Sequence, residues 1–255
     1  MVYELVSGII ESCRYDRALK VLFHVRSSHK PLIICIILTG GVLLGSIVMY
    51  TLIMNPILKR FPKIDKIFSM AYYVLWLYPV YATCFIFNTL CYPDIAQNVY
   101  RATRGPPKSP ALSFTRAIAC EIHRAFLMGV YVIITSLISL IPYSDPIIII
   151  LMSWLYSFYC FEYRWVFEGK TISKEIKKLE QNAIYYLGFG LPFALITYSF
   201  PGLIGNGIWA LLFPLFMVTA LLSKTPIQAS RKIPVFIIPS YICDRIEIML
   251  SSKKS

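Results

Sequence analysis

Five runs of the chain carry no Asp, Glu, Lys or Arg at all: Pro31 to Leu58, Ile67 to Tyr92, Ala125 to Ile141, Pro146 to Phe161 and Ala183 to Leu222. Apolar residues fill these runs without the strict alternation of a barrel strand, and backbone in lipid must pair its own polar groups, so they read as helices. The first two runs, about 28 and 26 residues, exceed the roughly 20 needed to cross a bilayer and are expected to span it with some tilt. The 125–141 and 146–161 runs are only about 16 or 17 residues each and are separated by Pro142-Tyr143-Ser144-Asp145. Pro201-Gly202 likewise divides the last run into 183–200 and 203–222. Each pair reads as a helical hairpin entered from one side, re-entrant or fully crossing. The predicted fold is an all-α integral membrane protein with two long transmembrane helices plus two such hairpins.

In residues 1–30, Val2, Val6, Ile9, Ile10 and Cys13 recur at helical spacing, with Glu4, Glu11, Arg14 and Arg17 largely elsewhere on the wheel. This pattern suits an amphipathic helix at the membrane interface, or a solvated helix packed on a neighbour. Residues 31–222 form a single membrane domain in this reading, and 223–255 a basic tail. Gly40, Gly41 and Gly45 make a small-residue face for close helix approach, within one copy or between copies of a homo-oligomer.

Charge sets the orientation. Lys and Arg number 25 against 13 Asp and Glu, for a net charge of +12. The hairpin tips have no basic residue, whereas 93–124, 162–182 and 223–255 are rich in them, which places these flanks and both termini in the cytosol. The Lys59–Lys66 loop runs against this bias. Dispersed juxtamembrane Lys and Arg suit anionic lipid, and no nucleic-acid-binding module surrounds them. The first thirty residues mix acids and bases and do not read as a cleavable signal.

Candidate chemistry is sparse. The seven cysteines lack C-x-x-C spacing and read as buried thiols. His24, His29 and His123 show no metal-ligand spacing, and no nucleophile elbow, P-loop or dinucleotide fingerprint is present, so neither an enzyme, a metal nor a cofactor is expected. The spans offer neutral polar groups such as Thr39, Thr51, Asn55 and Asn88, which argues against an ion-coupled pump. In Tyr159-Cys160-Phe161-Glu162-Tyr163-Arg164-Trp165, aromatics and charge crowd the end of an apolar helix; this reads as an interfacial anchor in which Arg164 pairs with Glu168 one turn on. Tyr3-Glu4-Leu5-Val6 fits the loose aromatic-x-x-aliphatic pattern of a segment that adds a strand to a receptor, in competition with its helical spacing. Ser252-Lys253-Lys254-Ser255 resembles a dilysine retrieval signal displaced by one position.

The strings YCFEYRW at 159–165, YYLGFGLPFALIT at 185–197 and LLFPLFMVTALLSKTP at 211–226, in that order, resemble the etoposide-induced protein 2.4 family. LYPVYATCFIFNTLCYPDIAQ at 77–97 extends the likeness more weakly. The resemblance marks Glu162, Tyr163, Arg164, Trp165, Gly188, Gly190, Pro192 and Pro214 as family-motif and anchor residues. It implies a non-enzymatic, multi-pass endoplasmic-reticulum protein required for autophagosome formation or progression and for aggregate clearance, acting with the lipid bilayer and proteins of the autophagy machinery. The family is distantly similar to the bacterial sulfate permease CysZ, so an anion permease or channel is the alternative. The glycine-leucine-arginine signature of sulfate binding is missing, because Gly40, Gly41 and Gly45 are followed by apolar residues.

Overall fold

The computed structural model describes residues 1–60, 62–108, 128–170, 172–200, 202–224 and 233–236, with side chains at 62–66 and 172–173 excepted. His123, Cys120, Cys243, the opening of the 125–141 run and the tail beyond 236 lie outside the described residues. Within them the regular structure is helical: α1 (Val2–Ser12), α2 (Tyr15–His24), α3 (Arg26–Leu58), α4 (Ile67–Arg104), α5 (Met128–Ile138), α6 (Asp145–Phe167), α7 (Ile172–Gln181), α8 (Ala183–Tyr198) and α9 (Gly202–Leu222).

Four of these, α3, α4, α6 and α9, are long and apolar enough to cross a membrane among the described residues, whereas α5 and α8 are shorter. Each expected hairpin therefore pairs a short helix with a long one. Two helices, α4 and α6, extend past their uncharged runs because burial overrides charge. In α4 the uncharged run stops at Tyr92, but Ile95, Ala96, Val99 and Tyr100 keep a buried stripe at helical spacing, and the helix continues past Pro93 to Arg104. Gly105, at φ 88°, takes the left-handed conformation that ends it. Similarly, α6 runs six residues beyond Phe161 because Glu162, Arg164 and Trp165 face inward, and it stops before Gly169 at φ 71°. Asp145 and Pro146 suit its first turn, where acidic charge meets the helix dipole and the missing proline N–H costs nothing.

The chain folds as two compact units that interleave in sequence. The first comprises Met1–Cys13, Pro107–Ala194 and Ser223–Ser255; the second comprises Arg14–Pro106 and Leu195–Leu222.

In the second unit α3 and α4 form an antiparallel pair whose contacts run in opposite order. Asn98 Nδ2 donates to Ser27 O at 3.1 Å, Asn88 Nδ2 to Thr39 Oγ1 at 2.9 Å and Cys84 Sγ to Leu38 O at 3.2 Å. Further along, Tyr72 Oη donates to Ser46 O at 3.0 Å and Tyr50 Oη to Ser69 Oγ at 2.5 Å. Such neutral bonds join helices where water is absent. Leu43, Ile47, Leu77 and Cys84 make the apolar core of the pair. The helix α9 packs on it through Tyr92, whose hydroxyl donates to Ala210 O at 2.7 Å and whose ring lies 4.8 Å from Phe213. Among the expected small-residue positions, only Gly40 meets a neighbouring helix, with Leu211 3.6 Å from where its Cβ would stand. Gly41 faces open space.

In the first unit large aromatics fill the core, with Phe158, Phe161, Trp165, Phe189, Phe193 and Phe236 all essentially inaccessible. The 233–236 segment is held to α7 by Glu180, whose carbonyl accepts from Ile233 N–H at 3.0 Å and whose Oε1 accepts from Phe236 N–H at 3.1 Å. The Phe236 ring lies 5.1 Å from Tyr131 and 5.8 Å from Phe158.

Candidate functional site

The segment 159–165 occupies the middle of the first unit. Phe158, Phe161, Glu162 and Trp165 recur at intervals of three, four and seven, the face of α6 that meets α8. Phe161 stands edge-on to Phe189 at 4.8 Å and to Tyr186 at 5.1 Å, and Trp165 lies 6.3 Å from Tyr186. Ser157 Oγ donates to Tyr186 O, and Trp154 Nε1 to Ala183 O at 2.7 Å. The first two signature strings are thus one helix–helix interface.

Arg164 is 5% exposed, and a charge so far out of water needs ionic and hydrogen-bonding partners. Its Nε donates to Glu168 Oε1 at 2.9 Å, one helical turn on, the pairing that its spacing predicts. Its Nη1 donates to Ser223 O at 2.8 Å. Glu168 also pairs with Lys170. Burial alone raises the Glu168 carboxyl, but hydrogen bonds from Lys170 and Arg164, with the charges behind them, outweigh it and hold the group below the usual glutamate range. Beside this network Tyr185 Oη donates to Lys224 O at 3.2 Å. The third signature string therefore ends, at Ser223 and Lys224, on residues of the first two.

Two glycines set how closely the helices approach. A Cβ on Gly188 would fall on the Leu5 carbonyl of α1, and one on Gly190 on the Ser153 carbonyl of α6, so α8 is flanked backbone to backbone on opposite faces. Gly8 reciprocates, its missing Cβ directed at Tyr185 O and 2.8 Å from Phe189 N. Pro192 lies half-buried inside α8. Of the marked residues, Glu162, Tyr163, Arg164, Trp165, Gly188, Gly190 and Pro192 share the first unit, with Tyr163 only half-buried. Pro214 is buried in α9, within the second unit.

The signature segment accordingly packs into the first unit, with Glu162, Arg164 and Trp165 buried. Arg164 and Glu168 are engaged with each other and with Lys170 and Ser223. Among the described residues no group of three or more His, Cys, Asp or Glu side chains gathers to hold a metal ion. His29 Nε2 donates to Leu22 O at 3.0 Å and Phe23 O at 3.1 Å, a bond that ties the start of α3 to the end of α2. Cys35, Cys84, Cys91 and Cys160 are buried free thiols; Cys13 is exposed because it caps the end of α1. Tyr3-Glu4-Leu5-Val6 is helical and carries the Leu5 contact to Gly188, so strand addition there requires α1 to unfold. The pairing of Gly8 with Gly188 and the role of Glu180 had no local sign, because each depends on residues more than fifty positions away.

Three comparisons bear on this arrangement. Residues 14–204 match the family model described as Sulfate transporter CysZ/Etoposide-induced protein 2.4. The chain is 32% identical over 254 residues to "Protein EI24 homolog" of Dictyostelium discoideum, covering 94% of this chain and 82% of that protein. It is 25% identical to "Protein EI24 homolog" of Arabidopsis thaliana, covering 97% and 93% respectively. It is also 31% identical over 176 residues to "Ectopic P granules protein 4" of Caenorhabditis elegans, covering 66% of this chain and 54% of that one. No solved structure matches.

Proposed function

Since the chain belongs to the Sulfate transporter CysZ/Etoposide-induced protein 2.4 family, we propose that it is a non-enzymatic membrane protein of the endoplasmic reticulum that supports autophagosome formation or progression, with both termini cytosolic. The observation that carries the reading is the near-full-length similarity to EI24 homologues. The similarity to "Ectopic P granules protein 4" lends it further support.

The geometry supports a structural role in the bilayer. Helix α1 is packed inside out: its small residues Gly8 and Ser12 face the protein, whereas Val2, Tyr3, Val6 and Ile10 are exposed. Water disfavours that arrangement and lipid favours it, because in a bilayer close backbone contact, not apolar burial, joins helices. An interfacial helix of this kind adds volume to one leaflet and so favours curvature. The anion-permease alternative gains no charged group from the α3/α4 seam, where the described contacts use neutral side chains.

Loss of the protein is expected to cause autophagy substrates to accumulate. The wild-type chain should reverse this, and a variant with a charged residue in the apolar hairpin 125–161 should not. Normal substrate turnover without the protein would overturn the reading. Sulfate or chloride flux above empty-liposome leak from the purified protein would favour the alternative.

A further inference from the structure

The short helix α7 has two faces of different character. Glu175, Ile176, Leu179 and Glu180 are buried, whereas Lys174, Lys177, Lys178 and Gln181 are exposed at intervals of three, four and seven. The inward face is fully used by the protein: Glu180 holds the 233–236 segment, and Glu175 accepts from Lys178 Nζ at 2.6 Å. Among the described side chains of α7, Lys174 to Gln181, no exposed apolar residue is left to insert into lipid. What it presents outward is positive charge. Lys178 is neutralised by Glu175 and Lys170 by Glu168, but Lys174 and Lys177 have no acidic partner among the described residues. Lys108, whose backbone N–H donates to Phe167 O at 2.8 Å, adds at the end of α6 a third ammonium with no acidic partner among the described residues.

The chain path fixes where this face lies. Four residues separate the end of α6 at Phe167 from Ile172, and one separates Gln181 from the start of α8 at Ala183. Both neighbours are apolar helices, so the N-terminal end of α7 is tethered within about 17 Å of the candidate span α6 and its C-terminal end within about 7 Å of α8. The C-terminal tether lies within the roughly 8–10 Å over which surface charge is felt in physiological salt, and the N-terminal one is at most about twice that length.

We propose that the Lys174–Lys177 face of α7, with Lys108 at the end of α6, is a docking surface for the headgroups of anionic phospholipids. Exposed lysines one turn apart, with no acidic partner among the described residues and no exposed apolar neighbour among the described side chains of α7, match a plane of phosphate charge. The attraction is electrostatic, so it selects by headgroup charge and weakens with salt.

The test uses the full chain in neutral detergent, titrated with dioctanoyl phosphatidylinositol 4-phosphate, dioctanoyl phosphatidylserine, dioctanoyl phosphatidylcholine and inorganic phosphate. Both anionic lipids should bind and the zwitterionic one should not. The K174E/K177E variant should bind them about 30-fold more weakly, K174R/K177R should bind as wild type, and 0.5 M NaCl should reduce wild-type binding. Both lysines are exposed, so melting temperatures should be unchanged; if charge reversal lowers the melting temperature, K174Q/K177Q replaces it in the comparison. Equal affinity of the charge-removed variant and wild type, or equal affinity for phosphatidylcholine, would overturn the proposal. Inorganic phosphate binding as tightly as the lipids would overturn it in favour of a simple anion site.

Discussion

Gly8 of α1 and Gly188 of α8 sit at one close backbone crossing, where a Cβ on Gly8 would fall on the Tyr185 carbonyl and one on Gly188 on the Leu5 carbonyl. The obstruction on both sides is main chain, which cannot swing away as the end of a long side chain does. Gly188→Ala is therefore expected to cost about 1–3 kcal/mol, seen as a lower melting temperature in detergent and faster proteolysis of residues 1–13. Gly41→Ala, whose Cβ meets nothing within 4 Å, should leave stability unchanged or raise it slightly through helix propensity. Equal effects at the two positions would remove the close-approach explanation.

Arg164 joins Glu168 to the Ser223 carbonyl from inside the first unit. Arg164→Leu removes a cationic partner from a partly buried carboxylate and a donor from the Ser223 carbonyl, a loss of about 3 kcal/mol. Adding Glu168→Leu should return part of that stability, because the penalty lies chiefly in the stranded charge. A double variant no more stable than the single one would count against this account.

The same carboxylate sets an acid limit. With its folded pKa below the unfolded one, Glu168 contributes stability that is fully present above the ordinary glutamate pKa of about 4.3 and is lost as pH falls through its depressed folded value. The melting temperature of the wild-type chain should thus be flat near neutrality with respect to this group and fall in that acid window. In Glu168→Gln the part of the fall due to this residue should disappear, as a comparison of the two pH profiles would show.

Helices α6 and α9, at 23 and 21 residues, rise about 34 and 32 Å, enough for a hydrocarbon core of about 30 Å. Their tips carry Tyr143, 95% exposed, and Asn206, also exposed. Single cysteines at these positions in a cysteine-free background should react with an impermeant maleimide only from the side opposite the C-terminal ends of these helices. Protection from both sides would show that the hairpins turn within the bilayer.

The helical membrane class, the two long spans and the positions of both hairpins were legible in the chain because the cost of unpaired backbone and of charge in lipid acts on every residue locally. So was the Arg164–Glu168 pair, one helical turn apart. The signature strings were recognisable as sequence, but not their use. Aromatics beside charges at the end of an apolar helix look like an interfacial anchor, and the same residues suit a sealed core once Ser223, 59 positions on, supplies the carbonyl that Arg164 needs. Helix ends were misjudged for a related reason: Asp94 and Glu162 interrupt the uncharged runs, yet the buried faces continue past them to Arg104 and Phe167. Hydropathy along the chain thus determined what kind of solvent this protein meets. Which backbones touch at glycines, which charges are buried and which lysines of α7 are exposed were decided only by tertiary structure, because each depends on a partner distant in sequence or on a face that burial elsewhere has left free.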